Sequence, residues 1–198
     1  MLSEAFLGAL LLNPSFHFVL SDGSRQLLGL SEEVAERVAG IFADMEVDVS
    51  WSFDASELPS LPPRTVHVIV RPHSARDWGL SSGVLATVLR EPDSRSSVFV
   101  FYPDLERALI RRPMRPQSLR GGRPPGEAWL DAVSGVITHE ILHYFLPGRS
   151  HDRSGVFAEH VDGGELARSS FETSPETRDA LIERLRPDLD PSAAGPER

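Results

Sequence analysis

Within a chain of 198 residues, the stretch Thr138-His139-Glu140-Ile141-Leu142-His143 leaves the least freedom to the fold. Its spacing has chemical meaning only on a helix. Successive helical residues turn by roughly 100°, so His139 and His143 stand about 40° apart on one face. Their two imidazole nitrogens can then address a single ion, and Glu140, one step round, can reach a water bound to it. Pro147-Gly148 stops the helix, and a third histidine, His151, follows His143 by eight residues. There is no cysteine, so disulfides and thiolate metal sites are excluded and any metal is held by His, Asp or Glu. A Zn²⁺ ion with three protein ligands keeps an open position and brings the pKa of a bound water to about 7. Glu140 would take that proton and deliver it to a leaving amine. The residues therefore predict a hydrolytic zinc site.

Other third ligands compete with His151. A glutamate farther downstream could complete the set, which brings in Glu159 and Glu165, and His160 is a further candidate. Asp152, beside His151, fits a supporting or turn-capping acid better than a ligand. His17 and His67 fall within strand patterns and His73 lies beside Pro72. All three read as structural or solvent-exposed.

The rest of the chain alternates strand and helix signals. Phe16 to Leu20 reads as a strand closed by Asp22-Gly23. Ser31 is the expected N-cap of a helix from Glu32 to about Asp44, with Val34, Val38, Ile41, Phe42 and Met45 on one face. Val47, Val49, Trp51 and Phe53 alternate with Asp48, Ser50 and Ser52, the period of a half-buried strand. Thr65 to Arg71, Gly83 to Leu89 and Ser96 to Tyr102 are further extended segments, and a short helix runs from Pro103 to about Arg111. Residues 112–126 are rich in Pro, Gly and Arg without periodicity, which predicts a mobile loop. The long helix is expected from about Glu127 to Phe145, with Ala132 and Gly135 letting it approach the sheet closely. Ser174-Pro175-Glu176 opens a last helix to about Leu185. The expectation is one α+β domain over residues 1–186 and a disordered tail over 187–198.

At this point the chain resembles the metzincin group of zinc metalloproteases, and more closely a set of bacterial relatives with a longer spacer before the third histidine. The matching residues are His139, Glu140 and His143, then Ser150-His151, then the turn Gly155-Val156-Phe157. Segments 31–51, 97–104 and the helix opened by Ser174-Pro175-Glu176 have similar counterparts, so the resemblance covers about residues 16 to 186. It implies a mixed twisted sheet with a long active-site helix and a C-terminal helix. It further implies His139, His143 and His151 as zinc ligands and Glu140 as general base of a metalloendopeptidase acting on peptide or protein substrates.

Departures from the group's pattern concentrate in the loop. Ordinary metzincins place a glycine and the third histidine where this chain has Leu146 and Arg149, and Gly148 and His151 are each displaced by two residues. Leu142 stands where glycine is common, and Phe157 replaces the methionine of the turn beneath the metal. Phe157 also motivates an alternative: a catalytically silent domain of the same fold that binds metal and peptide. By the same resemblance, an edge strand at 96–102 would pair with extended substrate through Val98, Val100 and Tyr102, an interior strand being the competing expectation.

Composition bounds the partners. The net charge of −9 argues against nucleic acid. All 20 cations are arginine. Arg112, Arg115, Arg120 and Arg123 would favour acidic substrates if their loop covered the cleft, though a solvated loop is the better expectation. Ala5 to Leu12 has the length of a signal-peptide core but lacks a basic flank, so it equally suits a buried first element. No apolar run reaches the roughly 18 residues that predict a membrane span, and the compartment stays open.

Overall fold

A computed structural model describes residues 14–23, 25, 27, 29–53, 64–90, 97–110, 125–158 and 171–186. Its frame is a five-stranded sheet ordered β2-β1-β3-β5-β4, built from β1 (Ser15–Asp22), β2 (Asp48–Ser52), β3 (Thr65–Arg71), β4 (Ala86–Leu89) and β5 (Ser97–Phe101). The first four positions in that order run parallel, while β4 lies antiparallel against β5 at one edge. Four α-helices accompany it among the described residues: α1 (Ser31–Ala43), α2 (Tyr102–Ile110), α3 (Pro125–Phe145) and α4 (Pro175–Leu185). This is the mixed α+β architecture expected.

Strand period decides which side of the sheet is dry. Phe16, Phe18 and Leu20 of β1, Val66, Val68 and Val70 of β3, and Val98 and Val100 of β5 join one buried cluster with α1 and α3. Phe16 sits edge-on to Phe42 of α1 and Phe145 of α3, at ring separations of 4.9 and 5.0 Å. α1 and α3 are joined by the Arg37–Asp131 ion pair and by the Ser134 hydroxyl donating to Val34 O at 3.4 Å. α3 is buried almost all round from Leu130 to Leu142, because sheet, α1 and the segment before α4 each cover part of it.

Some local expectations change. Ser31 is the first residue of α1, not its cap: Leu30 holds the cap position, and the Ser31 hydroxyl donates to Leu27 O at 3.3 Å. The strand foreseen from Gly83 begins at Ala86, after Gly83 takes a φ of +96° that no strand accommodates. Gly135 makes room for Phe171, since a Cβ there would lie 2.5 Å from that ring. The sheet is not the reason for this glycine. Ser174 caps α4 as foreseen, accepting from Thr177 N at 3.1 Å with Pro175 at N1. The N-terminal apolar run, most of the Arg-rich segment 112–126 and the tail 187–198 lie outside the described residues. Among the described residues, no helix is long and apolar enough to cross a membrane.

Candidate metal centre

α3 carries His139 and His143 one turn apart near its C-terminal end, with ring centroids 4.7 Å apart. The helix stops at Phe145, Gly148 takes a φ of +75°, and the chain doubles back to bring His151 beside the pair. The His143 Nε2 lies 3.0 Å from the His139 Nε2 and 2.9 Å from the His151 Nε2. Among the described residues this is the only group of three or more such side chains able to hold a metal, its ligand atoms all within 4.8 Å.

Proton counting tests whether a cation fits. His139 Nδ1 lies 2.8 Å from Val156 O, so it carries the proton and Nε2 presents a lone pair. A proton on the His143 Nε2 could serve only one of its two imidazole neighbours. At least one of the two close pairs would then hold no hydrogen bond. A tetrahedral Zn²⁺ bound at about 2.1 Å separates its ligand nitrogens by roughly 3.4 Å, a few tenths of an ångström wider than the 3.0 and 2.9 Å found. The three histidines fit a zinc ion.

Phe157 forms the floor. Its ring is fully buried and lies 5.5, 4.9 and 5.3 Å from the rings of His139, His143 and His151. The strap carrying it is fastened by Val156 N donating to Glu172 O at 3.0 Å and by Asp152 N donating to Phe157 O at 2.9 Å. A large apolar residue thus lies under the three histidine rings, where the resemblance leads one to expect methionine.

The electrostatics follow from burial. Desolvation lowers the pKa of His143 to about 4, with further depression from His139, His151 and Arg90. His139 is lowered chiefly by desolvation, against the opposing bond to Val156. Glu140 is pushed up to about 7 by burial alone. The carboxyl next to the ligand pair is therefore poised to accept and release a proton near neutral pH.

The substrate strand needs correction. β5 is bonded on one side by β3 and on the other by β4, so it has no free edge to offer a peptide. Val98 and Val100 are 0 and 1% exposed and point into the core. Tyr102 opens α2 and packs on Trp129 near the start of α3, about 15 Å along that helix from His139. Among the described residues, β4 is the edge strand on that side of the sheet. Phe101 N donates to Leu85 O at 2.9 Å, which places Leu85, Thr87 and Leu89 toward β5 and turns the backbone groups of Ala86 and Val88 outward. Arg90, of the same parity, donates from Nη2 to the carbonyls of His143 and Tyr144 at 3.1 Å each, ending α3 on a cation. Sequence reading passed over Arg90; its only signal was a cation one step beyond a short strand.

The remaining histidines stand apart. His17 is buried on β1 between the hydroxyls of Ser50 and Ser52, at 2.9 and 3.1 Å, with His67 on the neighbouring β3. His73 is exposed. The competing ligands Glu159, His160 and Glu165 lie outside the described residues, as do Arg112, Arg115, Arg120 and Arg123.

Fold and site together define a protein with a zinc-peptidase-like architecture and a three-histidine centre. The chain is similar to the crystal structure of archaemetzincin from Methanopyrus kandleri, with a TM-score of 0.53 and 16% identity over 87% of this chain and 96% of that one. A zinc-dependent peptidase from Methanocorpusculum labreanum gives a TM-score of 0.49 at 16% identity, over 83% of this chain and 99% of that one. No family model and no curated protein matches the chain. At such identity the likeness to archaemetzincin speaks for the fold alone.

Proposed function

We propose that this protein is a zinc-dependent metalloendopeptidase of metzincin-like type. One observation carries the proposal: three imidazole Nε2 atoms converge over a buried aromatic floor, with a carboxyl of raised pKa adjoining them on the same helix. His139, His143 and His151 would hold the ion. Zinc bound there supplies Lewis acidity toward the scissile carbonyl and acidifies a water molecule. Glu140 accepts the proton of the attacking water and returns it to the leaving amine, roles that a pKa of about 7 allows at neutral pH. The outward backbone groups of Ala86 and Val88 offer an extended peptide an added strand, independent of its side chains.

A catalytically silent, peptide-binding domain was the alternative suggested by Phe157. The close packing of Phe157 under all three rings supports its serving as the floor, and no specific observation favours the silent reading. The proposal is tested with zinc-loaded protein and casein as a generic unfolded substrate. Wild type should carry about one zinc per chain and cleave. Glu140→Gln should keep the zinc and lose cleavage. Cleavage surviving that change would remove Glu140 from the mechanism, and peptide binding without any turnover would favour the silent domain.

A further inference from the structure

The third ligand, unlike the first two, has no helix to orient it. His151 lies in an irregular loop, and an unsupported loop would spend conformational entropy each time it presented its ring. The residue after it is tied down on three sides. Asp152 Oδ1 accepts from the Ser174 hydroxyl at 2.8 Å and from the Thr177 hydroxyl at 2.9 Å, and Oδ2 accepts from Ser174 N at 3.3 Å. Its backbone N–H goes to Phe157 O at 2.9 Å. On the other flank of His151, Arg149 Nε donates to Thr177 Oγ1 at 3.1 Å. Thr177 is fully buried, so one hydroxyl in the first turn of α4 bonds the loop on both sides of the ligand.

We infer that Asp152 is a positioning residue: docked on the first turn of α4 through Ser174 and Thr177, it fixes His151 over Phe157 and so sets the affinity of the centre for zinc. The inference rests on the metal-centre reading above but not on peptide cleavage. A carboxylate suits the place. Its neighbours present three donors, and an amide whose oxygen accepted both hydroxyls would turn its N–H group against the N–H of Ser174. The N-terminal end of α4 favours the negative charge further. α4 is remote from the histidines in sequence, yet it is what the third ligand stands on.

The test is zinc affinity, measured by competition with a chromophoric chelator, for wild type, Asp152→Ala, His151→Ala and the double variant. Loss of a group that orients a ligand weakens metal binding by about 10- to 100-fold, and Asp152→Ala should fall in that range. In the His151→Ala background the same change should have no effect, because the residue acts through the missing ligand. Thr177→Val, which keeps the side-chain shape, should give a smaller loss that also vanishes without His151, and it serves if Asp152→Ala fails to fold. An equal loss in both backgrounds would overturn the inference in favour of general destabilisation. No loss in wild type would overturn it outright. If His151→Ala alone left zinc affinity unchanged, both this inference and the three-histidine centre would fall, whereas failure of the peptidase proposal would leave these affinities as stated.

Discussion

Replacing Gly155 by alanine probes the joint between the floor of the centre and the segment before α4. Gly155 has a φ of +89°, and a Cβ there would lie 2.0 Å from Glu172 O and 2.9 Å from its carbonyl carbon. Real Cβ atoms do not approach below 3.0 Å, so that backbone must retreat by at least about 1 Å. The Val156 N–H bond to the same carbonyl, 3.0 Å long, would then be lost. A side chain at positive φ costs about 1–2 kcal/mol, and the lost bond adds about 1 kcal/mol. Together they make about 2–3 kcal/mol. Gly148 supplies the control, with a φ of +75° and no atom within 4 Å of its added Cβ, so that Gly148→Ala should show the conformational strain alone. Urea denaturation of the metal-free variants measures both. Zinc affinity should also fall in Gly155→Ala, because Val156 O orients His139. The reasoning is refuted if Gly155→Ala proves no more destabilising than Gly148→Ala.

Two other predictions concern the same centre. Phe157→Ala should cost about 3–5 kcal/mol, as expected for a fully buried aromatic, whereas Phe157→Met should stay within about 1.5 kcal/mol and keep zinc. Thermal or urea unfolding with zinc titration distinguishes them, and an Ala variant as stable as the Met variant would deny Phe157 its role as floor. In the Glu140→Gln background, which removes the opposing titration of a carboxyl raised to about 7, acid should unfold the metal-free protein more easily than neutral pH. His143 titrates at about 4 when folded and near 6.5 when unfolded, so its contribution is whole above pH 6.5 and is lost as pH falls toward 4. The limit is about 3 kcal/mol, and the ring is only half-buried, so solvent screening should reduce it to about 1–2 kcal/mol. A urea midpoint that stayed constant from pH 7.5 to 5 would contradict this.

Helix and strand identity was legible because each depends on neighbours within a few residues. The period of Val66, Val68 and Val70 marks a strand, and the Ser174-Pro175 pair marks a helix start, whatever lies opposite them. The helical half of the centre was legible for the same reason, since a one-turn spacing carries its own geometry. The Ser31 cap was misplaced by one residue, because the alternative bond to Leu27 O depends on a turn that local pattern does not reveal. Whether residues 96–102 form an edge or an interior strand stayed open for a deeper reason, and the interior alternative is the one found. Val98 and Val100 have the alternation of any half-buried strand, and nothing in the period says which neighbours will bond its two sides.

By itself, then, the sequence determined the chemistry available: three histidines, one carboxyl and no thiol, two of the histidines locked in register by helical repeat. Tertiary structure decided how that chemistry is assembled. Among the described residues β4 rather than β5 stands at the sheet's edge, because strand order is set by long-range pairing. Gly135 yields space to Phe171 rather than to the sheet, and α4 supports the loop bearing His151 through Asp152, Ser174 and Thr177. Those contacts join residues more than twenty positions apart. Their energy comes from burial and hydrogen bonding that exist only once the chain has closed on itself.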